Sequence, residues 1–380
     1  MGGTHRQHIS CASAWTPECL AEDRDGGDWD IHLGAGEIDD LLAALDHVNA
    51  AGVPLAGITF DNFPLRQSNN VLSQLRRSLS TGRGFSLLHG FPVEDQTLSD
   101  IERMYWGFCA HLGHGVTQNS DGSLIHYVTE GHLRPNQGTR GVGNPGKVSL
   151  HVDLADCVSL LCVRQAADSP PSRLSSSTTL HNELLSRAPE SLDRLYRGFE
   201  WDRQGEHDIT ETPTTGYLVP FFSEKDGNIS CRYNRNWMMK AAQRGGGDFS
   251  VDDKELLDLI DELTHQNCLE FDFQPGDIQF ANNYKILHGR APHTPAQTDE
   301  QTRLLMRIWF DANNLGPWSD EAIVRYGIIQ HGKLGWSAAD TLDGLDDKTH
   351  YRRAIDNAPD LYHVSPNGLS STRKDHADLG

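Results

Sequence analysis

The stretch Ser149-Leu150-His151-Val152-Asp153-Leu154 alternates polar and apolar side chains with the period of a strand. Residues two apart on a strand share a face, so His151 and Asp153 present an imidazole and a carboxylate side by side. That is two-thirds of a metal site. A chain with 19 His and 53 Asp plus Glu also produces such pairs as solvated strand edges. The company of the pair therefore decides its meaning.

Outward from this pair the chain reads as strands and loops. Upstream, Gly131 to Lys147 is rich in Gly, Pro and Asn, a loop of the length found in lids, in binding loops and in plain connections. Downstream, Cys157 to Val163 is a continuous apolar run, as expected of a strand buried on both faces. Lys225-Asp226-Gly227-Asn228 is a hairpin signal, and Gln274-Pro275-Gly276-Asp277 a strong turn that launches Ile278 to Phe280. The first half carries helical stripes over Glu37 to Asn49, from an N-cap at Ser68, and over Thr97 to Leu112, with the short strand Gly84 to Gly90 between the last two. An acidic amphipathic helix spans 251–267, and Trp336 to Leu342 reads as a final helix. Many short strands with helices outside them predict a mainly β fold with flanking helices, built on an antiparallel double-sheet core.

Composition narrows the function classes. The formal charge of −20 over 380 residues argues against nucleic-acid and anionic-membrane partners, and it makes any inward-facing arginine informative about an anionic ligand. No run reaches the length of a membrane span and the N-terminus lacks a hydrophobic signal region, so a cytoplasmic location is expected. The seven cysteines form no Cys-x-x-Cys pair, which points away from disulfides and structural zinc. Nucleotide-loop, nucleophile-elbow and zinc-protease motifs are missing.

The last clear strand completes a constellation. Arg303, Leu305, Arg307 and Trp309 share one face, and Leu304, Met306, Ile308 and Phe310 the other. Two arginines in so apolar a strand are either structural ion pairs or clamps for carboxylates. Their separation of about 13 Å along the strand suits two anions or the two ends of one site. His288 adds a second imidazole, and two imidazoles with one carboxylate form the facial triad that leaves open positions on non-haem Fe(II).

The order His151-x-Asp153, His288-x-Arg290, Arg303-x-x-x-Arg307 resembles the taurine-dioxygenase and clavaminate-synthase superfamily of 2-oxoglutarate-dependent oxygenases, the TauD/TfdA-like enzymes. The resemblance covers residues 55–312. It extends to Gly82-Arg83-Gly84-Phe85, His89-Gly90-Phe91-Pro92, Ser159 to Arg164, His181 to Leu185, the 274–277 turn and Asn282-Asn283.

It implies a double-stranded β-helix (jelly-roll, cupin-like) domain with helical insertions over 55–312. An N-terminal arm and helix over 1–54 would precede it, and an extension with a disordered tail over 313–380 would follow. His151, Asp153 and His288 would ligate Fe(II), and Arg303 would pair with the distal carboxylate of 2-oxoglutarate. A hydroxyl would assist Arg303. Ser172 is the first choice and Ser175 the second, because Asp168-Ser169-Pro170-Pro171-Ser172 stands where relatives commonly carry Gly-Gly. Arg307 matches the position that binds the substrate's anionic group, with a structural ion pair as the alternative. Gln118 and Asn119 fall where amino-acid hydroxylases place a substrate-contacting amide, with a surface turn as the alternative.

The implied reaction consumes O2, oxidises an unactivated C–H bond of a small anionic substrate such as an amino acid or other carboxylate, by default hydroxylating it, and releases succinate and CO2. Self-association is left open. The competing readings are a metalloenzyme that uses the triad without 2-oxoglutarate, which gives Arg303 no role, and a non-catalytic jelly-roll binding protein.

Overall fold

The computed structural model describes residues 7–22, 27–116, 118, 124–129, 148–166, 168–205, 212–216, 218–292 and 302–312, with isolated positions beyond these. The loop over 131–147, Asn119, the 336–342 helix and the expected tail lie outside the described residues.

Chain order gives the strands β1 (Asp30–His32), β2 (Phe85–His89), β3 (His114–Val116), β4 (Ile125–Val128), β5 (Val148–His151), β6 (Cys157–Arg164), β7 (Ser172–Ser176), β8 (Phe222–Lys225), β9 (Asn228–Cys231), β10 (Cys268–Phe271), β11 (Ile278–Asn282), β12 (Ile286–Arg290) and β13 (Leu304–Asp311). The larger sheet runs β1-β2-β11-β6-β13-β3, with β4 also paired to β13, and the smaller runs β10-β7-β12-β5. Only β1 and β2 pair in parallel within them. These are the two antiparallel sheets of a cupin-like jelly roll, the expected fold class. The apolar run of β6 lies between β11 and β13, and β13 is buried along its whole length.

The helices α1 (Pro17–Glu22), α2 (Ala35–Ala50), α3 (Asn69–Ser80), α4 (Leu98–Ala110), α5 (Ser177–Arg187), α6 (Leu192–Arg197), α7 (Arg235–Arg244) and α8 (Val251–Gln266) surround the sheets. Their stripes follow the sequence pattern: Leu41, Leu45 and Val48 of α2, Ile101, Met104, Tyr105 and Phe108 of α4, and Leu257, Ile260 and Leu263 of α8 are all buried. Each such leucine or isoleucine contributes about 1.5–3 kcal/mol of transfer free energy. Thr97 and Ser250 cap α4 and α8 through backbone Asp100 and Asp253. Ser68 occupies the N-cap position of α3 but does not cap it. Its hydroxyl donates to Asp40 at 3.0 Å, and that carboxylate also accepts the backbone N–H groups of Gln67 and Ser68.

Part of the expected N-terminal arm, within 7–22 and 27–30, is packed into the fold. Ile9, Trp15, Leu20 and Trp29 are buried, with Trp15 packed on Phe85 at 5.1 Å and its indole donating to the carbonyl of Arg83. Asn182 pairs with both backbone groups of Ile9, and Ser176 donates to the carbonyl of Ser13. Indole burial is invisible to a periodicity search, because these residues follow no helical or strand repeat.

A histidine fastens β1 to the turn before β11. His89 of β2 donates from Nδ1 to Asp277 and from Nε2 to Asp30, both at 2.7 Å. The Asp277 hydrogen bond leads the effects that raise its pKa above 6.5, against an opposing cost of burial, and the Asp277 and Asp30 charges reinforce it. A raised folded-state pKa stabilises the fold fully below about 6.5, the unfolded value, and the contribution disappears as pH rises through the folded value. Replacing His89→Gln in chelator-treated protein is therefore expected to lower the denaturant midpoint most at pH 5.5. The gap from the parent should narrow steadily by pH 9, and a gap independent of pH would refute this account.

Candidate metal centre and cavity

The centre is built on one strand pairing. In the smaller sheet His288 of β12 lies directly opposite His151 of β5, with ring centroids 4.6 Å apart. The register then shifts between His288 and Arg290. Gly289 occupies that irregularity, and a Cβ there would lie 2.6 Å from the carbonyl oxygen of Val148. The close backbone approach thus requires glycine at this position.

β5 ends at His151, so Asp153 is not placed by strand alternation alone. The backbone beyond it is pinned instead. Val152 N–H donates to Tyr233 O at 2.9 Å, Asp153 N–H to Asn283 Oδ1 at 3.1 Å, and Arg232 donates to Asp153 O at 3.1 Å. Asn283 also donates to Ala155 O at 3.0 Å. One amide therefore holds both sides of the turn.

With these restraints Asp153 Oδ1 stands 3.8 Å from His151 Nε2, and Oδ2 3.4 Å from His288 Nε2. Ligands about 2.1 Å from a shared metal ion are separated by about 3–3.5 Å, close to the observed spacings. His151 Nδ1 lies 2.8 Å from Ser149 O; a carbonyl only accepts, so Nδ1 carries the proton and Nε2 keeps its lone pair for a cation.

The electrostatics favour the same state. Burial pushes His151 down to about 4, helped by the neighbouring His288, and the imidazole is neutral. Burial opposes ionisation of Asp153, but Arg307, the His288 hydrogen bond and the charges around it outweigh that cost and hold the carboxyl well below the usual carboxylate range. Trp309 donates to Asp153 Oδ2 at 2.8 Å, and Arg307 approaches the same oxygen at 3.3 Å with its guanidinium over the Trp309 ring.

These groups open into a cavity of about 690 Å³. β13 lines it with Leu305 and Arg307, as the shared-face reading of that strand requires, and Arg303 joins them. Arg303 is buried and bonded to Gln165 Oε1 at 3.2 Å; burial and the repulsion of Arg290 lower it to about 10, where it remains cationic. Ser172 lines the cavity and pairs with Arg290 across β7 and β12, whereas Ser175, an odd number of residues on, is absent from the lining.

Gln118 is fully buried but touches Arg307 rather than the cavity. It accepts from Arg307 Nε at 2.8 Å and donates to the carbonyls of Arg307 and Leu124. It is therefore neither a surface turn residue nor, in this geometry, a cavity group.

Residues 50–309 match the model of a family described as Taurine catabolism dioxygenase TauD, TfdA family. The chain belongs to the TauD/TfdA family. FR-33289 synthase of Streptomyces rubellomurinus is 27% identical over 316 residues, 81% of this chain and 92% of the relative. The taurine hydroxylase-like protein SAT17 of Stachybotrys chartarum is 25% identical over 294 residues, 74% of each chain. Asparagine oxygenase, solved with Fe(II), hydroxyasparagine and succinate, superposes with a TM-score of 0.58 at 14% identity, over 74% of this chain and 93% of that one. The non-haem iron oxygenase OrfP, solved with Fe and alpha-ketoglutaric acid, gives 0.56 at 16%, over 75% and 94%. Both share the fold of this TauD/TfdA dioxygenase. Among the described residues no helix is long and apolar enough to cross a membrane.

Two parts of this TauD/TfdA site carry weak sequence signals. Arg290 lines the cavity beside Ser172, yet the His288-x-Arg290 motif marks its position without giving it a role. α7 supplies a whole wall through Arg235, Trp237, Met239, Lys240 and Gln243, although its mixed composition gives no clear stripe. An Asn234 side chain accepting from backbone Trp237 is the helix-start signal that could have revealed it. Gly289→Ala tests the close approach of β12 and β5. It is expected to cost about 1–3 kcal/mol by overpacking. Divalent-metal binding should weaken in parallel, both read by denaturant melts and metal titration; unchanged metal affinity in a destabilised variant would separate the two effects and contradict the assignment.

Proposed function

We propose that this TauD/TfdA protein is an Fe(II)- and 2-oxoglutarate-dependent dioxygenase, hydroxylating an unactivated C–H bond of a small anionic substrate such as an amino acid or other carboxylate. The observation that carries this reading is the convergence of His151, Asp153 and His288 on one cavity that also contains the buried cation Arg303. These two imidazoles and one carboxylate would hold Fe(II) and leave ligand positions for 2-oxoglutarate and O2. Once bound there, Fe(II) supplies the redox chemistry by which O2 turns 2-oxoglutarate into succinate and CO2 and oxidises the substrate.

The chain's own residues bind and orient. Arg303 receives the distal carboxylate of 2-oxoglutarate; Ser172 is favoured over Ser175 as its hydroxyl partner because only Ser172 lines the cavity. Arg290 adds a second positive charge to that region. Arg307 lines the substrate side and faces the substrate's anionic group while it holds Asp153. Gln118 holds Arg307 in place from behind. Trp237, Leu160, Leu305 and Val128 give the cavity apolar walls that exclude water from the reacting bond. The hydroxyasparagine and hydroxy-L-arginine bound by the fold relatives make amino acids the first substrate class to test.

Anaerobic addition of Fe(II) and 2-oxoglutarate is expected to produce a visible charge-transfer band that Asp153→Ala abolishes. A screen of small acids should then find substrate-dependent succinate formation. Arg303→Ala is expected to raise KM for 2-oxoglutarate by about 30-fold or more, because truncating a buried charge pair costs at least about 2 kcal/mol. A folded protein without the band, or an Arg303→Ala variant with unchanged KM, would refute the proposal.

A further inference from the structure

A second histidine and carboxylate constellation lies at the edge of the larger sheet, away from the cavity. β1 and β2 pair in parallel with His32 directly opposite His89. Asp30 precedes His32 by two residues and so projects from the same face of β1. The His32 and His89 rings stack with centroids 4.7 Å apart and planes inclined by 25°. Asp30 Oδ1 is 2.7 Å from His89 Nε2 and 3.9 Å from His32 Nε2. One donor atom from each residue lies within 4.8 Å of the other two, a limit that the His151, Asp153 and His288 group also meets.

His89 is also oriented from behind. Its Nδ1 donates to Asp277 Oδ1 at 2.7 Å, and Asp277, itself buried, accepts the backbone N–H of Gln274 on its other oxygen. A carboxylate on one imidazole nitrogen fixes the tautomer and aims the other nitrogen, which is the outer-shell arrangement of histidines that bind metals. His32 is different: three-quarters of its side chain is exposed, and it is free to turn its ring toward a cation.

We propose that Asp30, His32 and His89 bind a divalent transition-metal ion of the zinc type, with Asp277 as the positioning residue for His89. The cation takes the place of the proton that His89 Nε2 shares with Asp30, and His32 supplies the second imidazole. Mixed nitrogen and oxygen donors suit Zn(II) or Ni(II), whereas Ca(II) and Mg(II) favour all-oxygen shells. None of the three residues lines the cavity, so the bound ion has no part in turnover. Its effect is to tie β1 to β2 at the place where Trp29, adjoining β1, packs on Phe85 of β2.

The test is calorimetric titration of Zn(II) into chelator-treated full-length protein. The parent, His32→Ala, and a His151→Ala/His288→Ala double variant with and without His32→Ala are compared. Loss of one Zn(II) per chain on His32→Ala, in the parent and in the double-variant background alike, is the expected result. Zn(II) should also raise the Tm of the double variant and leave the Tm unchanged once His32→Ala is added. Asp30→Asn should behave as His32→Ala does. Unchanged stoichiometry on His32→Ala overturns the proposal whatever the cavity centre does, and since His32 is exposed its replacement leaves the fold intact.

Discussion

The pairing of β12 with β5 is the constraint on which the centre depends. Side chains on paired strands meet only where the register brings them opposite, and a slip of one residue would turn His151 and His288 to opposite faces. The register is held by a backbone contact too close for any side chain at Gly289 and by the β7 ladder on the other side of β12. Once it is set, the third donor needs only a short turn, and Asn283 makes that turn rigid. The candidate centre is thus a product of sheet geometry before it is a product of electrostatics.

Charge then makes the arrangement workable. An ionised carboxylate beside two imidazoles in a buried site would be costly alone. Arg307 and Trp309 compensate Asp153 from the larger sheet while His288 approaches it from the smaller, so groups of both sheets converge on one carboxylate oxygen. Separating the sheets would strand a buried charge, so the polar contact also discourages looser packing between them.

Much of this was legible in the sequence, for identifiable reasons. β6, β13, α4 and α8 announced themselves by strong apolar runs and stripes, and the strand read from Arg303 onward put Arg303 and Arg307 on the side that now lines the cavity. His151, Asp153 and His288 were recognisable by order and resemblance, and the structure brings them together. Less was readable where tertiary contacts decide. Ser68 does not cap α3 because its hydroxyl is taken by Asp40, 28 residues earlier in the chain. The burial of Trp15 and Ile9 depends on partners at Arg83 and Asn182. Gln118 was read as a substrate-contacting amide or a surface turn, and its contact with Arg307 could not be read, since the sequence says nothing of which way the amide faces.

Arg307 touches the centre on one side and the cavity on the other. Under the proposed function a single guanidinium participates in two equilibria, the hold on Asp153 and the reception of whatever anion enters. Thermodynamic linkage makes such sharing reciprocal: an anion that draws charge from Arg307 changes how strongly Asp153 attracts a cation, and a cation at Asp153 changes the welcome given to the anion by the same factor. The two occupants of this site are in that sense priced in one another's terms, so affinity for either has meaning only when the presence of the other is stated.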